Sequence, residues 1–290
     1  MNFSMYIRRC LKPLLEKNFT LTKYENFLKL LANSNEFQIV SLNEIKNITS
    51  KNNIVFALRH DVDYDIKGAL EMAKIEYQNN IRSTYFILHT ASYYGVTKKG
   101  YFKHNEKIIP ILKKIQNEYG HEIGWHNDLV TLELIYGINP VEYLKEELQW
   151  LRDNGIKILG TATHGSVHCQ KYKYHNKYFF HEFSNKLEDL PNNEFVILND
   201  RKVFITKGHL EEFGFEFEAY HLDHSFEYAD CFRMRESQKR WHLENLVLKA
   251  FKQGSKVIIL THPIHWAHSI YDKYKKIISC RIKGNVIKNK

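Results

Sequence analysis

The chain reads Val-Phe-Ala-Leu-Arg-His-Asp-Val-Asp at residues 55–63, an apolar run of strand length that ends abruptly in charged side chains. A strand that is apolar on both faces is typical of a buried parallel strand, and α/β folds gather their chemistry at the carboxyl ends of such strands. Asp61 and Asp63 stand two residues apart, so an extended chain points them the same way. Two carboxylates there are costly unless a cation or a proton lies between them; the alternative is a loop pair that caps the next helix.

Predicted helices and strands alternate along the rest of the chain. Apolar spacing predicts helices over residues 65–79, 106–119, 139–155 and 238–251, and strands over residues 83–88, 121–126, 157–161 and 257–263. The pattern weakens over residues 167–215, which we interpret as long loops around a site. This alternation, without a Pro/Gly/Ser-rich linker or a repeat, predicts one parallel α/β domain. Several strands close in His or Asp, which is typical of a barrel with its site at the C-terminal face.

Three segments follow from this pattern. We expect a helical N-terminal extension over residues 1–49, in which Thr22 and Glu25 form a candidate capping box. The α/β barrel is expected over residues 50–268, and a basic C-terminal tail over residues 269–290.

The composition is that of a globular protein. Of the 290 residues 43% are hydrophobic and 14% aromatic, enough for a large core and unlike a disordered chain. The chain has four cysteines, none of them in a C-x-x-C spacing: Cys10, Cys169, Cys231 and Cys280. The sequence shows neither the pattern of a secretion signal nor an 18-residue apolar run. We therefore expect reduced thiols in a cytoplasmic protein.

Most of the net charge of +9 lies in the tail. Residues 271–290 carry seven Lys or Arg against Asp272, which leaves +3 for the other 270 residues. A nucleic-acid binder would spread basic residues over a folded face, so no nucleic-acid partner is expected. The tail is either a solvated terminus or a contact with an anionic membrane surface at the inner face.

His121 and His126 flank a Glu in a His-Glu-x-x-x-His spacing. A zincin needs two histidines four residues apart on a helix, and Gly124 interrupts any helix here, so we reject that motif. In a strand the two histidines face opposite sides, and His126 stands at the carboxyl end. His121 and Glu122 are therefore interpreted as structural.

Five short motifs occur in an order that resembles a known family: Arg-His-Asp-Val-Asp at 59–63, Ser-Thr-Tyr-Phe at 83–86, Gly-His-Glu-Ile-Gly-Trp-His at 120–126, Thr-His-Gly-Ser at 163–166 and Leu-Thr-His-Pro at 260–263. The family is that of the polysaccharide deacetylases, with the NodB-homology fold of carbohydrate esterase family 4. Within it, the sequence is most similar to the branch found with polysaccharide biosynthesis genes. The resemblance spans residues 54–266. It implies a distorted (β/α) barrel, a divalent metal that is often Zn²⁺, and removal of N-acetyl groups from amino sugars.

The resemblance also implies a metal-ligand set. Asp63 matches the metal-binding aspartate, and His126 matches the first histidine of the family's His-x-x-x-His motif. The second histidine is missing, because Val130 stands in its place. His164 is the candidate replacement: it follows a predicted strand, lies beside Gly165, and would complete an Asp/His/His set of the zinc type.

The acid–base residues are implied in the same way. Asp61 matches the catalytic base, and His262 in the closing motif matches the general acid that protonates the leaving amine. Arg59 is a candidate replacement for the family's arginine that orients the base. Asp230 falls where an aspartate that orients the acid histidine could come from.

The sequence thus predicts a cytoplasmic, metal-dependent deacetylase of an N-acylated sugar in surface-polysaccharide assembly. Its substrate would be nucleotide-linked, lipid-linked or an oligosaccharide. Two alternatives stay open at this point. One is a deformylase or cyclic-amide hydrolase on the same fold, and the other is a glycan-binding protein that has lost catalysis, which Val130 makes conceivable. The sugar, the acyl group and the oligomeric state are not indicated by the sequence.

Overall fold

The computed structural model describes residues 19–48, 54–190, 192–230, 256–269, 271–276 and 278–279. Several sequence features lie outside these residues: Cys10, Cys231, Cys280, the helix predicted over 238–251 and the last ten residues of the basic tail. The chain forms two compact units. The first unit comprises Met1–Tyr85, Lys114–Glu122 and Asp223–Lys290, and the second comprises Phe86–Lys113 and Ile123–Leu222.

The described residues form parallel strands joined by helices, as the α/β prediction requires. The strands are β1 (Phe37–Val40), β2 (Ile54–Val62), β3 (Thr84–Leu88), β4 (Gly95–Lys98), β5 (Tyr101–His104), β6 (Glu122–Asn127), β7 (Ile158–Thr163), β8 (Phe195–Leu198), β9 (Arg201–Phe204), β10 (Phe217–Glu218), β11 (Phe226–Ala229) and β12 (Lys256–Thr261). The α-helices are α1 (Leu21–Ala32), α2 (Leu42–Ile45), α3 (Ile66–Gln78), α4 (Ile108–Lys113), α5 (Leu129–Tyr136), α6 (Pro140–Asp153) and α7 (Val167–Tyr172).

In the first unit, four parallel strands pair in the order β1-β2-β12-β11. The register opposes Thr261 to His60, so the residues that follow them, His262 and Asp61, stand at the same level of neighbouring strands. Strand β2 is buried along both faces, and helices α1 and α3 contribute to the same apolar cluster as Phe56 and Leu58. The polar side chains at the carboxyl ends of β2 and β12 are therefore anchored by paired strands that are packed into the core.

In the second unit, β6, β7 and β10 pair in parallel, with His126 opposite Ala162 and Asn127 opposite Thr163. Gly160 lets β10 approach, because a Cβ there would lie 2.1 Å from the Phe217 ring. Two antiparallel hairpins, β4–β5 and β8–β9, accompany these strands.

Capping residues and glycines in the sequence correctly predicted several helix boundaries. Asp65 caps α3 through a hydrogen bond from the Gly68 amide, and Asn139 caps α6 by accepting from the amides of Val141 and Glu142. Gly155, which follows α6, has the positive φ of 76° that a glycine adopts freely.

Other expectations were wrong. The extension is not helical throughout, because residues 37–40 form β1 and pair in parallel with β2. Helix α1 is capped by Thr20 and not by Thr22, and the capping box of this segment lies at Ser41 and Glu44. The helix predicted over 106–119 is α-helical over Ile108–Lys113 and continues as a π-helix over Lys114–Glu118. Residues 167–215 contain a helix and a hairpin in addition to loops.

Among the described residues, no helix combines the length and the hydropathy that crossing a membrane requires.

Candidate functional site

The residues singled out by the sequence divide between the two units. The first unit holds Arg59, Asp61, Asp63, Asp230 and His262, and the second holds His126 and His164.

Arg59 holds Asp61 in a bidentate ion pair. The two side chains lie two residues apart on β2 and therefore share a face of the strand. Nε of Arg59 is 2.9 Å from Oδ1 of Asp61, and Nη2 is 2.8 Å from Oδ2. Arg59 is 0% exposed and Asp61 2% exposed, so this fork is shielded from water and fixes the orientation of the carboxylate. The contact is the one expected of Arg59 from the sequence.

Asp63 does not continue the extended geometry of Asp61. Strand β2 ends at Val62, and the amide of Asp63 donates to the carbonyl of Asp61 over 3.2 Å, which closes a three-residue turn. The simple expectation that both carboxylates share one strand face is therefore wrong. Asp63 is half-buried, at the first position beyond the strand.

His262 is hydrogen-bonded to Asp230, as proposed from the sequence. Nδ1 of His262 donates to Oδ1 of Asp230 over 2.5 Å, and the amide of His262 donates to Oδ2 over 2.8 Å. Nε1 of Trp266 donates to the same Oδ2 over 3.0 Å. Burial opposes the charged imidazolium, but the Asp230 carboxylate outweighs it and raises the pKa of His262 to about 10. His262 is therefore protonated at neutral pH.

Two groups of His and Asp side chains are close enough to hold a metal ion. One consists of Asp230, His262 and His265, whose ligand atoms lie within 4.8 Å of one another. A metal requires about 2.0–2.2 Å to each ligand, and the 2.5 Å between Asp230 and His262 is a hydrogen-bond length that leaves no room for an ion between them. Asp230 also accepts from Trp266, and Nδ1 of His265 lies 3.2 Å from Oδ2. This group is better explained as a carboxylate that orients histidines.

The second group includes His126 and His164, whose rings lie 5.0 Å apart in the second unit. His126 belongs to β6, and His164 directly follows the neighbouring strand β7. Nδ1 of His126 donates to the carbonyl of Ala162 over 2.8 Å, so Nε2 carries the ring's lone pair. Nδ1 of His164 lies 3.3 Å from Oδ1 of Asp128, within ion-pair distance of that carboxylate. An outer carboxylate or carbonyl that fixes the tautomer in this way is typical of metal-binding histidines.

Asp128 is a functional candidate that the sequence reasoning missed. Its Oδ2 accepts from the hydroxyl of Thr90 over 2.6 Å, and its Oδ1 accepts from Nδ2 of Asn176 over 2.7 Å. Burial alone would raise the pKa of Asp128, but His164, the Thr90 hydroxyl and His89 outweigh it and lower the pKa to about 2. Asn176 also donates to the carbonyl of His164 over 2.9 Å, so it fixes the loop that carries this histidine. The sequence signal that could have pointed to it is the position of Asp128 two residues after His126, which stands near the end of β6.

Val130 lies in the first turn of α5 and is fully buried. The position at which the family resemblance calls for a histidine is therefore part of the core in this protein. Any third ligand must come from another segment of the chain.

His121 belongs to a buried network of the first unit. Its Nε2 donates to the carbonyl of Ala73 over 2.8 Å, and its Nδ1 accepts from the amide of Ser83 over 3.2 Å. Burial lowers the pKa of His121, and its ion pair with Glu76 opposes this shift. These contacts support its interpretation as a structural residue.

Comparison with models of known protein families, with curated proteins and with solved structures finds no match for this chain. The resemblance to the polysaccharide deacetylases therefore rests on the ordered motifs alone.

Proposed function

We propose that this protein is a metal-dependent hydrolase that removes an N-acetyl or similar N-acyl group from an amino sugar, on a distorted (β/α) barrel of the NodB type. The observation that carries the proposal is the presence of two oppositely charged side chains, Asp61 and His262, at the ends of β2 and β12. The Arg59 guanidinium forms a bidentate ion pair with Asp61, and the Asp230 carboxylate holds His262 as an imidazolium. Hydrolysis of an amide needs such a pair, a base to accept a proton and an acid to donate one.

The chemistry of the donors fits a divalent metal, most simply Zn²⁺. Nδ1 of His126 bonds to a carbonyl oxygen, and Nδ1 of His164 lies 3.3 Å from the Asp128 carboxylate. Asp63 is the carboxylate that the motifs supply as the third ligand. Three ligands of this kind are typical of catalytic zinc. When bound there, the ion would polarise the amide carbonyl and lower the pKa of a water toward about 7.

The chain's own residues supply the proton transfers. Asp61 accepts the proton of the attacking water on a carboxylate oxygen, while Arg59 keeps that carboxylate in place. Nε2 of His262 donates its proton to the nitrogen of the departing amine, which is a poor leaving group until it is protonated. Before this transfer, Asp230 stabilises the protonated ring by accepting the hydrogen bond of its Nδ1. Each transfer contributes roughly 10²–10⁴-fold to the rate. The proposed substrate is a precursor in surface-polysaccharide assembly, nucleotide-linked or lipid-linked.

Metal analysis coupled to acyl release tests this proposal. Purified protein should carry stoichiometric zinc and should release acetate from UDP-N-acetylhexosamines or from short N-acetylated glycans. Asp61→Asn and His262→Ala should each lower the rate at least about 10²-fold. His268→Ala, at an exposed histidine, is the matched control and should leave the rate unchanged.

Two further measurements separate the alternatives. His164→Ala should lower zinc affinity by roughly 10–100-fold or more, whereas His121→Ala should not, and equal losses would overturn the ligand assignment. Formate release in the same assay would indicate a deformylase. A metal-free protein that binds glycan without releasing any acid would refute the proposed hydrolase.

A further inference from the structure

A cavity lies entirely within the second unit, and its lining contains none of the residues assigned to the reaction. It has a volume of about 390 Å³ and opens between the β4–β5 hairpin and the first turns of α6. Its lining includes Phe102, His104, Tyr143 and three glutamates of α6. The volume falls within the range of small-molecule sites, about 300–1,000 Å³.

The cavity is strongly acidic. Glu142, Glu146 and Glu147 line it, and Lys103 is the one lysine or arginine among its lining residues. Glu142 and Glu146 stand four residues apart on α6, a spacing at which like charges repel. A cation bound between them would relieve this repulsion.

Glu147 is held firmly at the inner wall. It is 5% exposed, accepts from the hydroxyl of Tyr94 over 2.8 Å, and lies 3.4 Å from Nδ1 of His104. The His104 ring stacks on Trp150 with 3.9 Å between the ring centroids, which fixes that side of the cavity. Burial raises the pKa of Glu147, so this carboxylate gains from a positive partner.

Tyr143 supplies an observation independent of the charges. The residue is 5% exposed, and its hydroxyl has no hydrogen-bond partner in the part of the chain that the structure describes. Buried hydroxyls nearly always have a partner, and a polar ligand group in the cavity would supply one for Tyr143. The Phe102 ring meets Tyr143 edge to face at 4.9 Å, and together they form an aromatic wall. Such a wall favours both a cation and the carbon face of a ring.

We propose that this cavity binds a hydroxylated organic ammonium ion, of the class to which a free amino sugar belongs. The ammonium group would lie among the three carboxylates, and a ligand hydroxyl would pair with Tyr143. A divalent metal is a poorer fit, because neither group of described residues close enough to hold an ion contains these glutamates. The site requires no metal and no turnover, so it stands apart from the proposed reaction.

Binding of glucosamine to the full-length protein tests the proposal, by ligand-observed NMR or calorimetry after metal removal with a chelator. Glucosamine should bind, and neutral glucose should bind at least about tenfold more weakly. Glu146→Gln and Tyr143→Phe should each weaken glucosamine binding by about fivefold. Glu146 is exposed, so Glu146→Gln will fold, whereas a loss with Glu147→Gln alone would be ambiguous.

Glu118→Gln, at an exposed glutamate outside the cavity, is the matched control and should change nothing. Absence of glucosamine binding, equal binding of glucose, or binding that Glu146→Gln and Tyr143→Phe leave intact would overturn the proposal. Binding at the proposed reaction centre would not respond to these two variants, so failure here is distinguishable from failure of the proposed hydrolase.

Discussion

Replacing Glu76 by Gln removes the charge from the most heavily bonded buried carboxylate that the first unit contains among its described residues. Glu76 is 0% exposed on α3. One oxygen accepts from the hydroxyl of Tyr24 and from Nε2 of His60, and the other accepts from the hydroxyls of Ser83 and Tyr85. A Gln of the same shape keeps one acceptor and presents an NH₂ donor to the other pair of donors. Two buried donors would therefore lose their acceptor.

The size of the effect follows from the pKa. Burial alone would raise the pKa of Glu76, but His60, His121 and Ser83 outweigh it and lower the pKa from 4.5 to about 2. That difference corresponds to about 3 kcal/mol of stabilisation by the ionised form. Because the folded pKa lies below the unfolded value, this stabilisation is present above about pH 4.5 and is lost as the pH falls through about 2.

We therefore expect Glu76→Gln to lower the free energy of unfolding by about 3 kcal/mol at pH 7. The difference between the variant and the wild type should shrink by about 1 kcal/mol at pH 4 and by about 2 kcal/mol at pH 3. Urea unfolding followed by circular dichroism measures both quantities. Glu118→Gln, at an exposed i,i+4 ion pair, is the control and should cost less than about 0.5 kcal/mol. A loss below about 1 kcal/mol at pH 7, or one that does not change with pH, would refute the reasoning.

Two further substitutions test the ends of β2 and β12. Arg59→Lys cannot reproduce the fork on Asp61, so it should lower the free energy of unfolding by about 2 kcal/mol, measured by urea titration; a change below about 0.5 kcal/mol would contradict the ion pair. Asp230→Asn removes the anion that holds His262 protonated, so the pKa of His262 should fall from about 10 to near or below 6.5, measured by NMR titration of the ring. A ring that stays protonated above pH 8 would show that other groups hold the charge.

The local elements of the fold could be predicted because their signals lie within a few residues. The apolar run before Arg59 is buried on both faces, as a parallel strand requires. Asp65 and Asn139 cap the helices that their side chains predict, since a cap bonds to an amide only two or three residues away. Elements that depend on a distant partner were missed. Strand β1 is four residues long and exists through its pairing with β2.

The candidate site likewise combines contacts that the sequence could predict with contacts that it could not. Arg59 and Asp61 share a strand face by the period of two, so their contact could be predicted. Asp128 and Asn176 are 48 residues apart in the chain, and no local pattern joins them. The four donors around Glu76 come from α1, β2, the residue that precedes β3, and β3 itself. Such a network has no period in sequence, because its geometry is set by how the elements pack.

The sequence by itself determined the buried strand, the charged residues at its end and the histidines that close later strands, because period and capping are short-range properties. The tertiary structure alone decided what those residues touch. It turned the chain between Asp61 and Asp63, placed Val130 in the core, set the Asp128 carboxylate against His164, and bound both oxygens of Asp230. Long-range contacts of this kind determine the protonation state of a buried group, because the nearest charge and hydrogen-bond donor shift its pKa away from the intrinsic value.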